Sequence, residues 1–201
     1  MTNQPNGAAV LIIDMQNGFV HADGSIPRTG QPLPNVDRVI TSSVELVEAA
    51  REAHLPIVFT QHVFDPDYFD VAPRIVAKGM FDPETETLVR NSWDAAILDE
   101  LKPLETERTV EKNRYDAFLY TDLDQVLRKL GVGRLLVGGV VTNVCVESTV
   151  RSAEQRDFEV IVAEDCTAGA LEYHDAALAS MAYIAADVMP WRHGLEALVA
   201  P

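Results

Sequence analysis

Residues 134–145 read Arg134-Leu135-Leu136-Val137-Gly138-Gly139-Val140, then Val141-Thr142-Asn143-Val144-Cys145. An apolar run, a glycine turn and a helix start are written there, which is the strand–turn–helix unit of an α/β sheet. The pattern recurs on either side. Ala8–Ile13 is a buried strand and Ile57–Thr60 a second. Between them Val36, Val39, Ile40, Val44 and Val47 recur at helical spacing, so residues 36–53 form an amphipathic helix, broken at His54-Leu55-Pro56. Further on, Thr109–Glu111, Arg134–Val140, Glu159–Ala163 and Asp187–Met189 read as strands. Trp93–Leu101, Leu123–Leu130 (closed by Gly131), Asn143–Gln155 and His174–Ile184 read as helices. The main strands are apolar throughout, as in a sheet covered on both faces. The expected fold is α/β: one open parallel sheet of about six strands with helices on both faces, a Rossmann-like three-layer arrangement. Residues 63–91 lack a clean period and hold Pro66, Pro73 and Pro83, so they form a long excursion suited to a lid.

The 201 residues suit a single domain spanning 1–201, with residues 1–7 expected as a flexible N-terminal tail. Hydrophobic residues make up 47% and charged residues 23%, an ordinary globular balance. Asp and Glu number 31 against 16 Lys and Arg, for a net charge of −15. Such a surface repels nucleic acid and anionic membranes, so neither is an expected partner. The chain has two cysteines, Cys145 and Cys166, too few for a disulfide framework. It has no run of the roughly 20 apolar residues that a membrane span needs, and the N-terminus has no basic region before its short apolar run. A reducing cytoplasm is the expected location.

In open α/β sheets the functional groups stand at the carboxyl ends of the strands. Those ends carry Asp14, then Gln61 and His62, then Lys112, and Cys145 just past Val140. Each has a structural explanation on its own. Cys145 can be a small buried residue, Asp14 a turn cap and Lys112 a solvated surface lysine. An aspartate after six apolar residues is costly unless paired, however. A thiol near a helix N-terminus feels the positive end of the helix dipole, which favours the thiolate. The turn also directs backbone N–H groups outward, where they can hold an oxyanion. Aromatic residues follow the polar ones closely. Phe19, Trp93, Tyr115 and Phe118, with Gln61 and His62, are the candidate substrate-binding residues. Cys166 reads as a buried small residue.

Three motifs carry a family resemblance. They are Leu11-Ile12-Ile13-Asp14-Met15-Gln16-Asn17-Gly18-Phe19, then Glu111-Lys112-Asn113-Arg114-Tyr115-Asp116-Ala117-Phe118, then Gly138 to Thr149 around Cys145. In order and spacing the chain resembles the isochorismatase-like cysteine hydrolase superfamily, from Ala8 to about Met189. The group includes nicotinamidases, N-carbamoylsarcosine amidase, ureidoacrylate amidohydrolase and biuret hydrolase. The resemblance implies a catalytic trio of Asp14, Lys112 and Cys145 that cleaves a C–N bond of a small amide through a thioester. Asp14 serves as general acid and base and Lys112 as its electrostatic support. It also implies a cis peptide at Val140–Val141 and an oxyanion hole from the N–H groups of Val141 and Cys145. Nicotinamidases of the superfamily hold a metal through an aspartate and a histidine cluster. Here no histidine follows His62 before His174, so no metal and no cofactor are expected. Some isochorismatases cut a vinyl ether and lack the cysteine, and an inactive binding protein could keep the fold. The presence of Cys145 favours the amidase. Family members are commonly oligomers, so a homodimer or homotetramer is expected, with Trp191 at a subunit contact.

Overall fold

The computed structural model describes residues 7–30, 32–78 and 83–200. Six strands form one sheet: β1 (Gly7–Ile13), β2 (Ile57–His62), β3 (Arg108–Lys112), β4 (Val132–Val140), β5 (Glu159–Ala168) and β6 (Asp187–Met189). Their order is β3-β2-β1-β4-β5-β6 and every pairing is parallel. The sheet therefore grows in opposite directions from β1 and β4. This is the topological switch point, where α/β folds open a crevice at the strand ends.

Successive side chains of a strand point to opposite faces, and both faces here are covered. Val10 and Ile12 pack with Phe59 and Leu136 under α3 (Val36–Glu52) and α8 (Trp191–Val199). Ala9, Leu11 and Ile13 pack with Val58, Val110 and Val137 on the other face. That face is closed by α5 (Leu123–Lys129), α6 (Glu147–Glu154) and α7 (Leu171–Ile184). Two one-turn helices, α1 (Asn17–Val20) and α2 (Ser25–Arg28), follow β1, and α4 (Pro73–Ala77) lies in the excursion.

Several local expectations are corrected. Gly7, placed in a tail, already belongs to β1 and its N–H donates to Gly131 O at 3.0 Å; residues 1–6 lie outside the described residues. No helix forms over Trp93–Leu101, apart from a 3₁₀ turn at Asp99–Leu101. The carbonyls a helix would use internally are taken from outside. Trp93 O accepts from Asn17 Nδ2, Asp94 O from Gly18 N, Ala95 O from both Gln16 and Gln61 Nε2, and Ala96 O from Asn17 N. The helix expected over residues 143–155 begins as a π turn, Thr142–Val146, before α6. The fifth strand runs on to Ala168 because Thr167 and Ala168 pair with Gly139 and Val140 past an irregularity in β4. Trp191, expected at a subunit contact, is instead buried within the chain, at the head of a helix that was not foreseen.

The switch point depends on Gly139. Its φ is +119°, outside what L side chains adopt, and a Cβ there would stand 2.0 Å from Ile13 O. Gly139→Ala is therefore expected to lower unfolding stability by about 3 kcal/mol or more, read as a fall in the urea midpoint. A midpoint unchanged from the parent protein would show that the β1–β4 contact is looser than described.

Candidate active site

Ile13 of β1 pairs with Gly139 of β4, so the residues that follow each strand meet at the switch point. These are Asp14 and the loop leading to Cys145. Lys112 ends β3, two strands from β1, with β2 between them rather than at a neighbouring strand end. Its partner in register on β2 is His62. The long lysine stem reaches past His62 to the aspartate.

Asp14, Lys112, His62 and Cys145 are all buried. Lys112 Nζ lies 2.6 Å from Asp14 Oδ2, 3.3 Å from His62 Nδ1 and 3.4 Å from Cys145 Sγ, and donates to Arg114 O at 3.0 Å. Burial alone would lower the lysine's pKa, but the charge and hydrogen bond of Asp14 raise it, so Lys112 stays an ammonium. Asp14 is anchored from its other side: its N–H donates to Thr60 Oγ1 at 3.2 Å, and that hydroxyl donates to Asp14 Oδ1 at 2.6 Å. The aspartate has φ of 51°, the left-handed region that non-glycine residues occupy when their surroundings hold them there.

Burial dominates at the sulfur. It pushes the Cys145 thiol up to about 12, against the lowering effect of Lys112, while Asp14 adds to the rise. The expected thiolate at a helix N-terminus is thus corrected: Cys145 sits inside a buried π turn, two residues before α6, and rests as a thiol. The Val140–Val141 peptide is cis.

Asp14, His62 and Cys145 also offer one ligand atom each within 4.8 Å of one another, the spacing of a metal site. The Lys112 ammonium lies within 3.4 Å of all three side chains. The positive charge that such a donor set calls for comes from the protein itself.

A cavity of about 60 Å³ opens on Cys145. Phe19 and Ile26 from the α1–α2 turns line it, with His62 and Phe64 from the end of β2, Tyr115, and Val141 and Val144 from the nucleophile loop. Ile75, Thr87 and Leu88 come from the excursion, which thus walls the site. Three candidate pocket residues stand elsewhere. Gln61 donates to Ala95 O. Trp93 is 52% exposed with its ring edge-on to His21. Phe118 packs against Phe158 under the Arg156 guanidinium. A wider cleft of about 390 Å³ between Arg38 and His174 holds none of the four buried polar groups at the switch point.

Three supporting residues escaped the sequence reading. Thr60 fixes Asp14. Gln16 clamps the backbone of His62, donating to its carbonyl at 2.9 Å and accepting from its N–H at 2.7 Å. Asp94 accepts from Ser25 N, Ser25 Oγ and Leu88 N, tying two cavity walls together. The usable signal in each case was a polar side chain set among residues that otherwise read as buried.

The protein is thus of the α/β class, an open parallel sheet with a buried cysteine, carboxylate and ammonium gathered at its switch point. The Isochorismatase domain model matches residues 8–193, and the chain belongs to the isochorismatase family. It is 34% identical over 190 residues to the ureidoacrylate amidohydrolase of Methylobacterium radiotolerans, covering 88% of this chain and 74% of that protein. It is 33% identical to the ureidoacrylate amidohydrolase of Cronobacter sakazakii, covering 83% and 77%. Among solved structures, a cysteine hydrolase from Pseudomonas syringae pv. phaseolicola superposes with a TM-score of 0.86 at 25% identity, over 98% of this chain and 95% of that one. The N-carbamoylsarcosine amidase of Thermoplasma acidophilum shares the fold, with a TM-score of 0.74 at 23% identity over 92% and 96%.

Two expectations follow. Lys112→Met strands Asp14 without its buried partner and should cost about 3–5 kcal/mol of unfolding stability, with part of the loss recovered when Asp14→Asn is added. No recovery in the double variant would mean that the pair is not energetically coupled. Iodoacetamide labelling of Cys145, followed by mass spectrometry, should rise by about tenfold per pH unit up to pH ~9 with no plateau, as expected for a thiol far below its pKa. A plateau near neutrality would contradict the buried, protonated sulfur.

Proposed function

We propose that this protein hydrolyses the C–N bond of a small amide, ureide or carbamoyl compound through a thioester at Cys145. The observation that carries the reading is the placement of Lys112 Nζ 2.6 Å from the Asp14 carboxylate and 3.4 Å from Cys145 Sγ, with Cys145 itself lining the adjoining cavity.

Because the thiol is protonated at rest, attack needs a base, and Asp14 is the carboxylate beside it. Asp14 takes the thiol proton as sulfur bonds to the substrate carbonyl carbon. The negative charge moves to the carbonyl oxygen, which the N–H groups of Val141 and Cys145 receive. Asp14 then returns its proton to the substrate nitrogen, the C–N bond breaks, and the amine leaves. A water next gives a proton to Asp14 as its oxygen attacks the thioester carbon. The C–S bond breaks, the carboxylic acid or carbamic acid departs, and the proton returns to sulfur. Lys112 stays charged throughout, holding Asp14 in place and offsetting the negative charge that passes between carboxylate and sulfur. No step calls for a metal or an organic cofactor.

The amidohydrolase names of the similar proteins support amide chemistry, and the cysteine supports it over vinyl-ether cleavage, which needs no nucleophile. Ammonia release from a panel of ureides, primary amides and lactams is the direct test. Cys145→Ser and Asp14→Asn should each lower kcat by at least about 100-fold, the scale on which a nucleophile or its base contributes. Full turnover in Cys145→Ser would sink the cysteine mechanism, and turnover confined to non-nitrogen esters or ethers would favour an isochorismatase-type reaction instead.

A further inference from the structure

The cavity over Cys145 is walled by Phe19, Ile26, Phe64, Ile75, Leu88 and their neighbours, and among the described residues no Asp, Glu, Lys or Arg lines it. The nearby cations are committed or outside. Lys112 is paired to Asp14 at 2.6 Å. Arg114 Nη1 donates to Asp70 O at 2.9 Å and to Asn113 O at 2.7 Å. Arg74, beside Ile75, is exposed to solvent. A carboxylate drawn into such a space would lose its hydration with no unpaired cation in the lining to receive it.

One buried polar atom of the lining has no hydrogen-bond partner, His62 Nε2. Its protonation follows from geometry. Lys112 Nζ, 3.3 Å away, can only donate, so the tautomer that makes this hydrogen bond presents the Nδ1 lone pair and carries the ring proton on Nε2. Burial, then the charges of Lys112 and Arg114, hold the imidazole pKa well below its usual value, so the ring is neutral. Gln16 fixes the His62 backbone through both its N–H and its carbonyl. A positioned N–H donor therefore borders a cavity whose exposed lining is mostly apolar. It cannot be satisfied by the leaving –NH₂ of an amide, itself a donor, while the scissile carbonyl oxygen is assigned to the oxyanion N–H groups.

We propose that this site takes an uncharged amide or ureide with a compact apolar body and a second, neutral carbonyl oxygen, and that His62 Nε2–H recognises that oxygen. The inference rests on the amidase reading above. It departs from the ureido acid after which the similar amidohydrolases are named.

Three amides of nearly one shape separate the terms: acetoacetamide has a neutral second carbonyl, isovaleramide has an apolar branch in its place, and malonamate has a carboxylate there. For the full-length protein, kcat/KM by ammonia release should be highest for acetoacetamide, by at least about tenfold over each of the others, the scale on which a buried polar group left unpaired discriminates. In His62→Phe the ratio of acetoacetamide to isovaleramide should collapse toward about one, whatever happens to the absolute rates. A parent protein that prefers malonamate, or treats acetoacetamide and isovaleramide alike, overturns the proposal without help from any variant. If ureidoacrylate releases ammonia and none of the three does so above the Cys145→Ser background, the substrate class is wrong and the amidase reading stands. If no amide or ureide is cleaved at all, both fall.

Discussion

The ion pair between Lys112 and Asp14 is the constraint around which the candidate site is organised. Two opposite charges, 2.6 Å apart and out of contact with water, are costly to bury unless each finds further partners. The fold supplies them. Thr60 of β2 holds one carboxylate oxygen, Arg114 O takes a lysine proton, and His62 and Cys145 complete the surroundings of the ammonium. The strand order makes this possible. β1 and β4 are neighbours at the point where the sheet reverses, so Asp14 and the cysteine loop emerge together. The lysine must cross the width of β2 to reach them, which is why the residue at that position has a long stem.

The same pair sets the surroundings of the sulfur. Moving Cys145 into a buried π turn takes it out of water, and this outweighs the help of the ammonium at 3.4 Å. A helix dipole's effect fades within the first turn, and Cys145 lies in the π turn before α6 begins. The local sequence, a glycine turn before a helical pattern, suggested a thiolate because it carries no information on burial. Once packing is known, burial outweighs the ammonium and favours the thiol over the thiolate.

How much could be read in advance divides along physical lines. Strands were legible because continuous apolar runs between turn residues have few other solutions. Asp14 was legible because a charge at the end of such a run is expensive without a purpose, whereas Lys112, after a polar strand, stood out only together with Asp14 and Cys145 and through the family-like motif around it. Residues whose role lies in a long-range hydrogen bond were not. Thr60 looks like any strand threonine until Asp14, 46 residues away, lies beside it. Trp93–Leu101 has helical spacing, yet four of its carbonyls serve Gln16, Asn17, Gly18 and Gln61, and those bonds outweigh local propensity. Phe118 ends the lysine motif, but its ring packs against Phe158 in the core rather than lining the cavity.

Scaffold and selectivity are therefore built from different kinds of sequence. The polar groups of the site sit on or next to strand ends, where backbone ladders fix them to within a hydrogen bond. The cavity walls come largely from segments with little regular structure: the one-turn helices after β1 and the proline-bearing excursion after β2. A loop wall needs its own fastening, and Asp94 provides it by accepting three hydrogen bonds that join Ser25 to Leu88. Changes of side chain at Phe19, Ile26, Ile75 or Leu88 alter the shape and polarity of the cavity without touching the ion pair. Changes at Gln16 or Asp94 move the walls themselves. The polar constellation is thus fixed by the sheet, while the shape of the cavity beside it is set by the loops.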